Sequence, residues 1–153
     1  MNHIVIYSSR KGNTEKVALE VAAELDCKAV KITKDFDTSS LPLDTYDFVF
    51  VGTGIIGGEP YNEMLNYLNA VNLNGSNRSF VLFMTWAGGG ASDKLTYQRM
   101  KTTLEALGQN VHKDYFTCLG ETFGFTRRGH PNGGDLIMAR KWVKDTIDQY
   151  KTP

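Results

Sequence analysis

Two cysteines, Cys27 and Cys118, are all that 153 residues contain, and they lie far apart. Neither a metal-ligand pair nor a disulfide framework is expected from them; reduced thiols are. Net charge is missing too. Seventeen basic residues balance 17 acidic ones, which leaves no global field to draw nucleic acid or an anionic membrane surface. No apolar run approaches the ~20 residues of a membrane-spanning helix. Met1-Asn2-His3 runs straight into a strand pattern, without the basic region and apolar core of a secretory leader. A soluble, cytoplasmic protein is the expectation. Histidine is limited to His3, His112 and His130, and no Ser/His/Asp order, carboxylate pair or ligand cluster stands out. No catalytic residue and no metal site is therefore assigned. Hydrophobic content of 41% and charged content of 22% suit one compact domain over residues 1–153.

What is present alternates strand and helix patterns throughout, without linker, repeat or low-complexity segment. Apolar runs rich in branched residues predict strands near residues 3–7, 28–32, 48–51, 80–84 and 111–117. A helix from Thr14 carries Val17, Ala18, Val21, Ala22 and Leu25 on one stripe. Glu59-Pro60 is expected to start the next, with Tyr61, Met64, Leu65, Leu68 and Val71 inward. Ser92 reads as the N-cap of a third, with Leu95, Met100, Leu104 and Leu107 inward and Gly108 ending it. The last helix begins near Asp135 and buries Leu136, Ala139, Trp142, Val143, Ile147 and Tyr150. The polar connection 35–44 holds at most a short helical turn. This alternation predicts an α/β fold, a three-layer doubly wound sandwich around a five-stranded parallel sheet. Such sheets take ligands outside the carboxyl ends of their strands, so the chemistry belongs in the loops after strands one, three, four and five.

The first of these loops is the most informative. After Ile4-Val5-Ile6-Tyr7 come Ser8, Ser9, Arg10, Lys11, Gly12, Asn13 and Thr14, where the helix opens. Strand, loop and helix in that order aim unpaired backbone N–H groups and a positive dipole end at one point, which favours a phosphate. Ser8, Ser9, Asn13 and Thr14 add hydroxyl and amide donors; Arg10 and Lys11 read as solvated tips. The second loop, Gly52-Thr53-Gly54-Ile55-Ile56-Gly57-Gly58, matches G-x-G-x-x-G but lacks the acidic residue about 20 positions on that would hold a ribose. Its adjacent isoleucines suit a flat apolar ring instead.

Beyond strand four, Thr85, Trp86, Ala87, Gly88, Gly89 and Gly90 place a large aromatic beside three glycines, either as a core plug or as a stacking group. Beyond strand five, Cys118 and Gly120 lead into a long loop with Glu121, Phe123, Phe125, Arg127, Arg128 and His130. Its length favours function. His130 reads as a residue of the helix start.

At these residues the chain resembles the flavodoxin family over nearly all its length. The resemblance rests on the Ser8-to-Thr14 loop, on Tyr46-Asp47-Phe48-Val49-Phe50-Val51-Gly52-Thr53, on Thr85 with the glycines after Trp86, and on Gly129-His130-Pro131-Asn132 with Asp135 and Ala139. It implies a sheet of order 2-1-3-4-5 holding one FMN, with residues 53–58 and 85–90 flanking the ring. Three features depart from the family pattern. The chain is neutral where dedicated carriers are acidic, Trp86 is the only aromatic in its loop, and Ile55 and Ile56 stand where many relatives have an aromatic.

The function implied is a one- or two-electron redox carrier serving partner proteins or a small electron donor or acceptor. The alternative is an FMN-dependent NAD(P)H or quinone oxidoreductase, with Arg127 and Arg128 anchoring a nucleotide phosphate. A flavin-free binding module is the third reading. A reorienting peptide at Gly57-Gly58 is expected to offer a carbonyl to the ring, and Glu59 and Glu121 to destabilise its anionic form.

Overall fold

Ile4, Val5 and Ile6 carry branched side chains on both faces of one strand, and such a strand is stable only when both faces are covered. In the computed structural model, which describes residues 1–75 and 77–152, they form the centre of β1 (His3–Tyr7) and are fully buried. β1 lies between β2 (Lys28–Lys31) and β3 (Phe48–Ile56), parallel to both. Beyond β3 comes a two-residue antiparallel partner, β4 (Glu59–Pro60), and the parallel β5 (Ser79–Trp86). Two short segments share the fifth position, β6 (Asn110–Val111) and β7 (Phe116–Leu119), both parallel to β5. The main strands therefore run 2-1-3-4-5, as the resemblance implies.

Because neighbouring strand residues face opposite sides, the sheet feeds two cores. Val5, Phe50, Val81 and Phe83 pack with Val17, Ala18 and Val21 of α1 (Asn13–Glu24) and with Ala139 and Val143 of α4 (Gly133–Lys151). Ile4, Ile6, Val49, Val51 and Leu82 pack with Met64 and Leu68 of α2 (Asn62–Ala70) and with Met100 and Leu104 of α3 (Ser92–Ala106). The result is the doubly wound three-layer sandwich. Thr38–Ser40 makes the single short helical turn of the polar connection.

The boundaries differ from expectation in informative places. β3 continues through Gly52 and Gly54, residues that read as a turn, because they pair with Phe83 and Thr85 of β5; glycine is needed there since a β-carbon would strike an aromatic ring, Phe83 at 2.3 Å and Tyr61 at 2.2 Å. Glu59-Pro60 does not start α2; it returns along β3, and the helix begins at Asn62. Ser92 is the first helical residue of α3, whose N-cap is Ala91 without a side-chain cap. Leu95 is 60% and Leu107 40% exposed, whereas Thr96 and Tyr97 turn inward. Tyr97 does so because its hydroxyl donates to the carbonyls of His112 and Lys113, in the gap between β6 and β7. Tyr150 is 41% exposed, though its hydroxyl meets His112 Nδ1 at 2.9 Å.

Both cysteines are free thiols, and burial pushes Cys27 up to about 11 and Cys118 up to about 12. No helix among the described residues is long and apolar enough to cross a membrane.

Candidate functional site

The loop after β1 spends its hydroxyls on the protein itself. Ser8, fully buried, donates to Thr53 Oγ1 at 3.1 Å. That oxygen donates in turn to the carbonyl of Gly54 and accepts from the N–H of Tyr61. Ser9 Oγ accepts from the N–H groups of Gly12 and Glu15, at 3.1 and 3.3 Å, and so holds the start of α1. Thr14 and Thr85 share a buried hydroxyl bond of 2.8 Å. The Asn13 amide donates to the Glu121 carbonyl at 2.8 Å, tying α1 to the loop after β7. What a helix start leaves over is its backbone: the N–H groups of Asn13 and Thr14, first in the helix, have no intrahelical acceptor.

Arg10 is no solvated tip. Its guanidinium bonds both oxygens of Glu63, at 3.0 and 2.9 Å, and lies 4.3 Å from the centroid of the Tyr61 ring. The bond to Arg10 lowers the Glu63 carboxyl below its ordinary value, and burial raises the Tyr61 phenol. Lys11 is exposed, with Nζ 5.5 Å from the Phe123 ring centroid.

Ile55 and Ile56 lie on β3 and pair with Pro60 and Glu59, closed by a two-residue turn at Gly57-Gly58. Both glycines already have positive φ, +59° and +79°, as a two-residue hairpin turn demands. An alanine at either is therefore strained in this conformation, not only in a reoriented one. Glu59 sits 3.5 Å from Arg99.

On the far side, Trp86 ends β5 half-buried, and the glycines after it lead to α3. Arg127 Nε donates to the Ala87 carbonyl at 2.8 Å, fastening the loop after β7 to the loop after β5. His130 bonds Asp135 at 2.7 Å, and Asn132 and Asp135 form a reciprocal cap at the start of α4. His130 is a residue of the helix start, as read from sequence.

Between these loops opens a cleft of about 490 Å³. Its walls bring together Arg10, Lys11, Asn13, Ile55, Ile56, Gly57, Thr85, Trp86, Ala87 and Gly120 from the residues singled out in sequence. Ser8, Ser9, Gly12, Thr14, Thr53, Gly54, Gly58, Gly88, Gly89, Gly90 and Cys118 are not on its wall. Several of them are the framework behind it. Tyr61, Thr122 and Phe123 are wall residues that sequence reasoning did not assign to the site. From sequence Tyr61 reads as one more member of a helical stripe; the signal for Phe123 is the length of its loop. Glu121, expected to act through charge, also lines the cleft. A smaller polar recess of about 340 Å³ adjoins it, between the first turn of α1 and the loop after β7.

A family model for the flavodoxin domain matches residues 4–124. The chain belongs to the flavodoxin domain family. It is similar, at 27% identity over 154 residues, to an uncharacterised protein of Methanocaldococcus jannaschii; the match covers 96% of this chain and 99% of that one. Among solved structures, a flavodoxin from the domain Archaea superposes with a TM-score of 0.75 at 16% identity, covering 99% of both chains. Oxidised flavodoxin 2 of Bacillus cereus gives 0.75 at 15% identity, covering 97% of this chain and 99% of that one. At such identities these two likenesses speak for the fold.

Proposed function

We propose that this protein binds one FMN and works as a one- or two-electron redox carrier. The observation that carries the reading is a cleft that joins apolar walls to a helix start. Ile55, Ile56 and Trp86 suit a flat ring, and the α1 terminus suits a phosphate. The donor set fits the group in a particular way. With the hydroxyls of Ser8 and Thr14 buried in bonds to Thr53 and Thr85, the phosphate is left to the backbone of the first turn, with Asn13 beside it. Bound FMN supplies the electron chemistry. The chain's own residues orient it: Arg10, fixed by Glu63 and Tyr61, shapes the cleft at the loop after β1, and the Gly57-Gly58 turn sets the position of Ile55 and Ile56. Glu121 on the cleft wall disfavours added negative charge there.

A second reading, an FMN-dependent NAD(P)H or quinone oxidoreductase, is favoured by exposed Arg127 and Arg128 on the loop after β7, whose Phe123 lines the cleft. One preparation separates the two. Purified protein with a flavin absorbance spectrum, reducible by dithionite but slow with NADPH and NADH, supports the carrier. Rapid nucleotide oxidation supports the enzyme. Protein that takes up no flavin overturns both.

A further inference from the structure

Phe125 is 70% exposed, and unlike Phe123 it takes no part in the cleft wall. Bound FMN therefore does not account for it. The two rings lie 6.5 Å apart, so the loop after β7 presents an aromatic pair at the cleft mouth. Cations without a carboxylate partner gather around the pair, although the chain is neutral. Arg127 and Arg128 donate to backbone carbonyls, those of Ala87 and Gly124, and Lys11 faces the Phe123 ring. Lys16, one turn along α1, borders the same loop across the small polar recess. None of these four cations pairs with a carboxylate among the described residues. The basic side chains of α4, by contrast, are paired: Arg140 with Glu20, Lys141 with Asp145, Lys144 with Glu24, and Lys151 with Asp148. Nearby carboxylates include Glu121, which lines both the cleft and the recess, Glu15 of α1, which faces Lys31 at 3.7 Å, and Asp135, which His130 and the N-cap of α4 already engage.

We propose that this aromatic and cationic rim is the docking surface for an electron-transfer protein that presents a carboxylate-rich face. The proposal rests on the carrier reading above and adds the chemistry of the partner. Unpaired cations orient an acidic partner from a distance, and the two rings exclude water at the centre of the contact. FMN held between Ile55, Ile56 and Trp86 would accept the single electron that the reduced partner gives up, and the partner would be oxidised by one electron.

The test uses the FMN-loaded protein and a plant-type [2Fe–2S] ferredoxin, an acidic probe. Stopped-flow rates of electron transfer from reduced ferredoxin are expected to fall about tenfold between ~20 and ~500 mM NaCl. Arg128→Glu combined with Lys16→Glu lowers the low-salt rate and flattens that slope. Phe125→Ala lowers the rate at every salt concentration. Calorimetric binding of oxidised ferredoxin follows the same order, and reduction by dithionite is unchanged in all variants. Three results overturn the proposal: variants indistinguishable from the parent, a salt-dependent approach by lysine-rich cytochrome c instead, or charge-reversed protein that loses NADPH oxidation and not ferredoxin binding. The visible spectrum keeps the two failures apart. Protein without bound FMN refutes the carrier reading, whereas loaded protein with salt-independent rates refutes the docking surface alone.

Discussion

Arg10 stacks its guanidinium 4.3 Å from the centroid of the Tyr61 ring while donating to both carboxylate oxygens of Glu63. Two separate elements that wall the cleft, the loop after β1 and the start of α2, are fastened together by this one side chain. The same contact holds the Glu63 carboxyl below its ordinary value of 4.5. A carboxyl lowered in the folded state adds stability that is fully present above its unfolded value and lost as pH falls through the folded one. Urea unfolding at a series of pH values is therefore expected to show a stability loss below about pH 4.5 that Glu63→Gln reduces. Arg10→Lys, which keeps charge but not the bidentate fork, is expected to reduce it too.

The Gly57-Gly58 turn yields a second expectation. Both residues occupy the left-handed region, where an ordinary L residue costs about 1–2 kcal/mol. Gly57→Ala and Gly58→Ala should each lower unfolding free energy by about that amount. The two should lose similar amounts, because the new methyl at position 58 meets only the end of the exposed Leu95 side chain, which can shift, and Gly57 has open space around it. Asn at position 57, which tolerates positive φ, should recover part of the loss. Chemical denaturation of the ligand-free variants checks all three.

The buried hydroxyl pair Thr14–Thr85 invites a double-mutant cycle. Either single valine variant leaves one hydroxyl without its partner, at a cost of about 1–3 kcal/mol. The double variant removes both groups and is expected to be less destabilised than the sum of the two. Additive losses would show that the 2.8 Å contact contributes nothing.

The two tryptophans give a spectroscopic expectation. Trp86 is on the cleft wall, whereas Trp142 stacks on Phe116 at 5.5 Å and meets Phe50 and Phe83 edge-on in the core. Adding FMN should quench Trp86 most strongly. Trp86→Phe should remove most of the fluorescence change, and Trp142→Phe should leave it in place. Quenching that survives Trp86→Phe would show that FMN does not lie against Trp86.

Much of this arrangement is legible in the sequence. The run Ile4-Val5-Ile6 stops at Ser8-Ser9 and a helix opens within six residues, so the strand, the loop and the start of α1 all follow from local pattern. The hairpin after β3 does not. Gly52 and Gly54 read as a turn, and only tertiary contact reveals that the rings of Phe83 and Tyr61 occupy the space their side chains would take. Leu95 shows the same limit from the other side. A helical stripe allows it inward, but Tyr97, two positions on, finds two carbonyls for its hydroxyl and turns the helix its own way. Ser8 and Thr14 were readable as residues of the site region, yet their hydroxyls are bonded to Thr53 and Thr85, a detail fixed by neighbouring strands and absent from local sequence.

The central claim is that the start of α1 and the apolar cleft act together on one ligand that carries both a flat ring and a phosphate. Titration of flavin-free protein with FMN and with riboflavin, followed by flavin fluorescence, tests it most directly. Charge-assisted bonds to a phosphate contribute about 1.5–3 kcal/mol each, so FMN is expected to bind one to one and on the order of tenfold or more tighter than riboflavin. Equal affinities for the two, or no binding of either, would contradict the account.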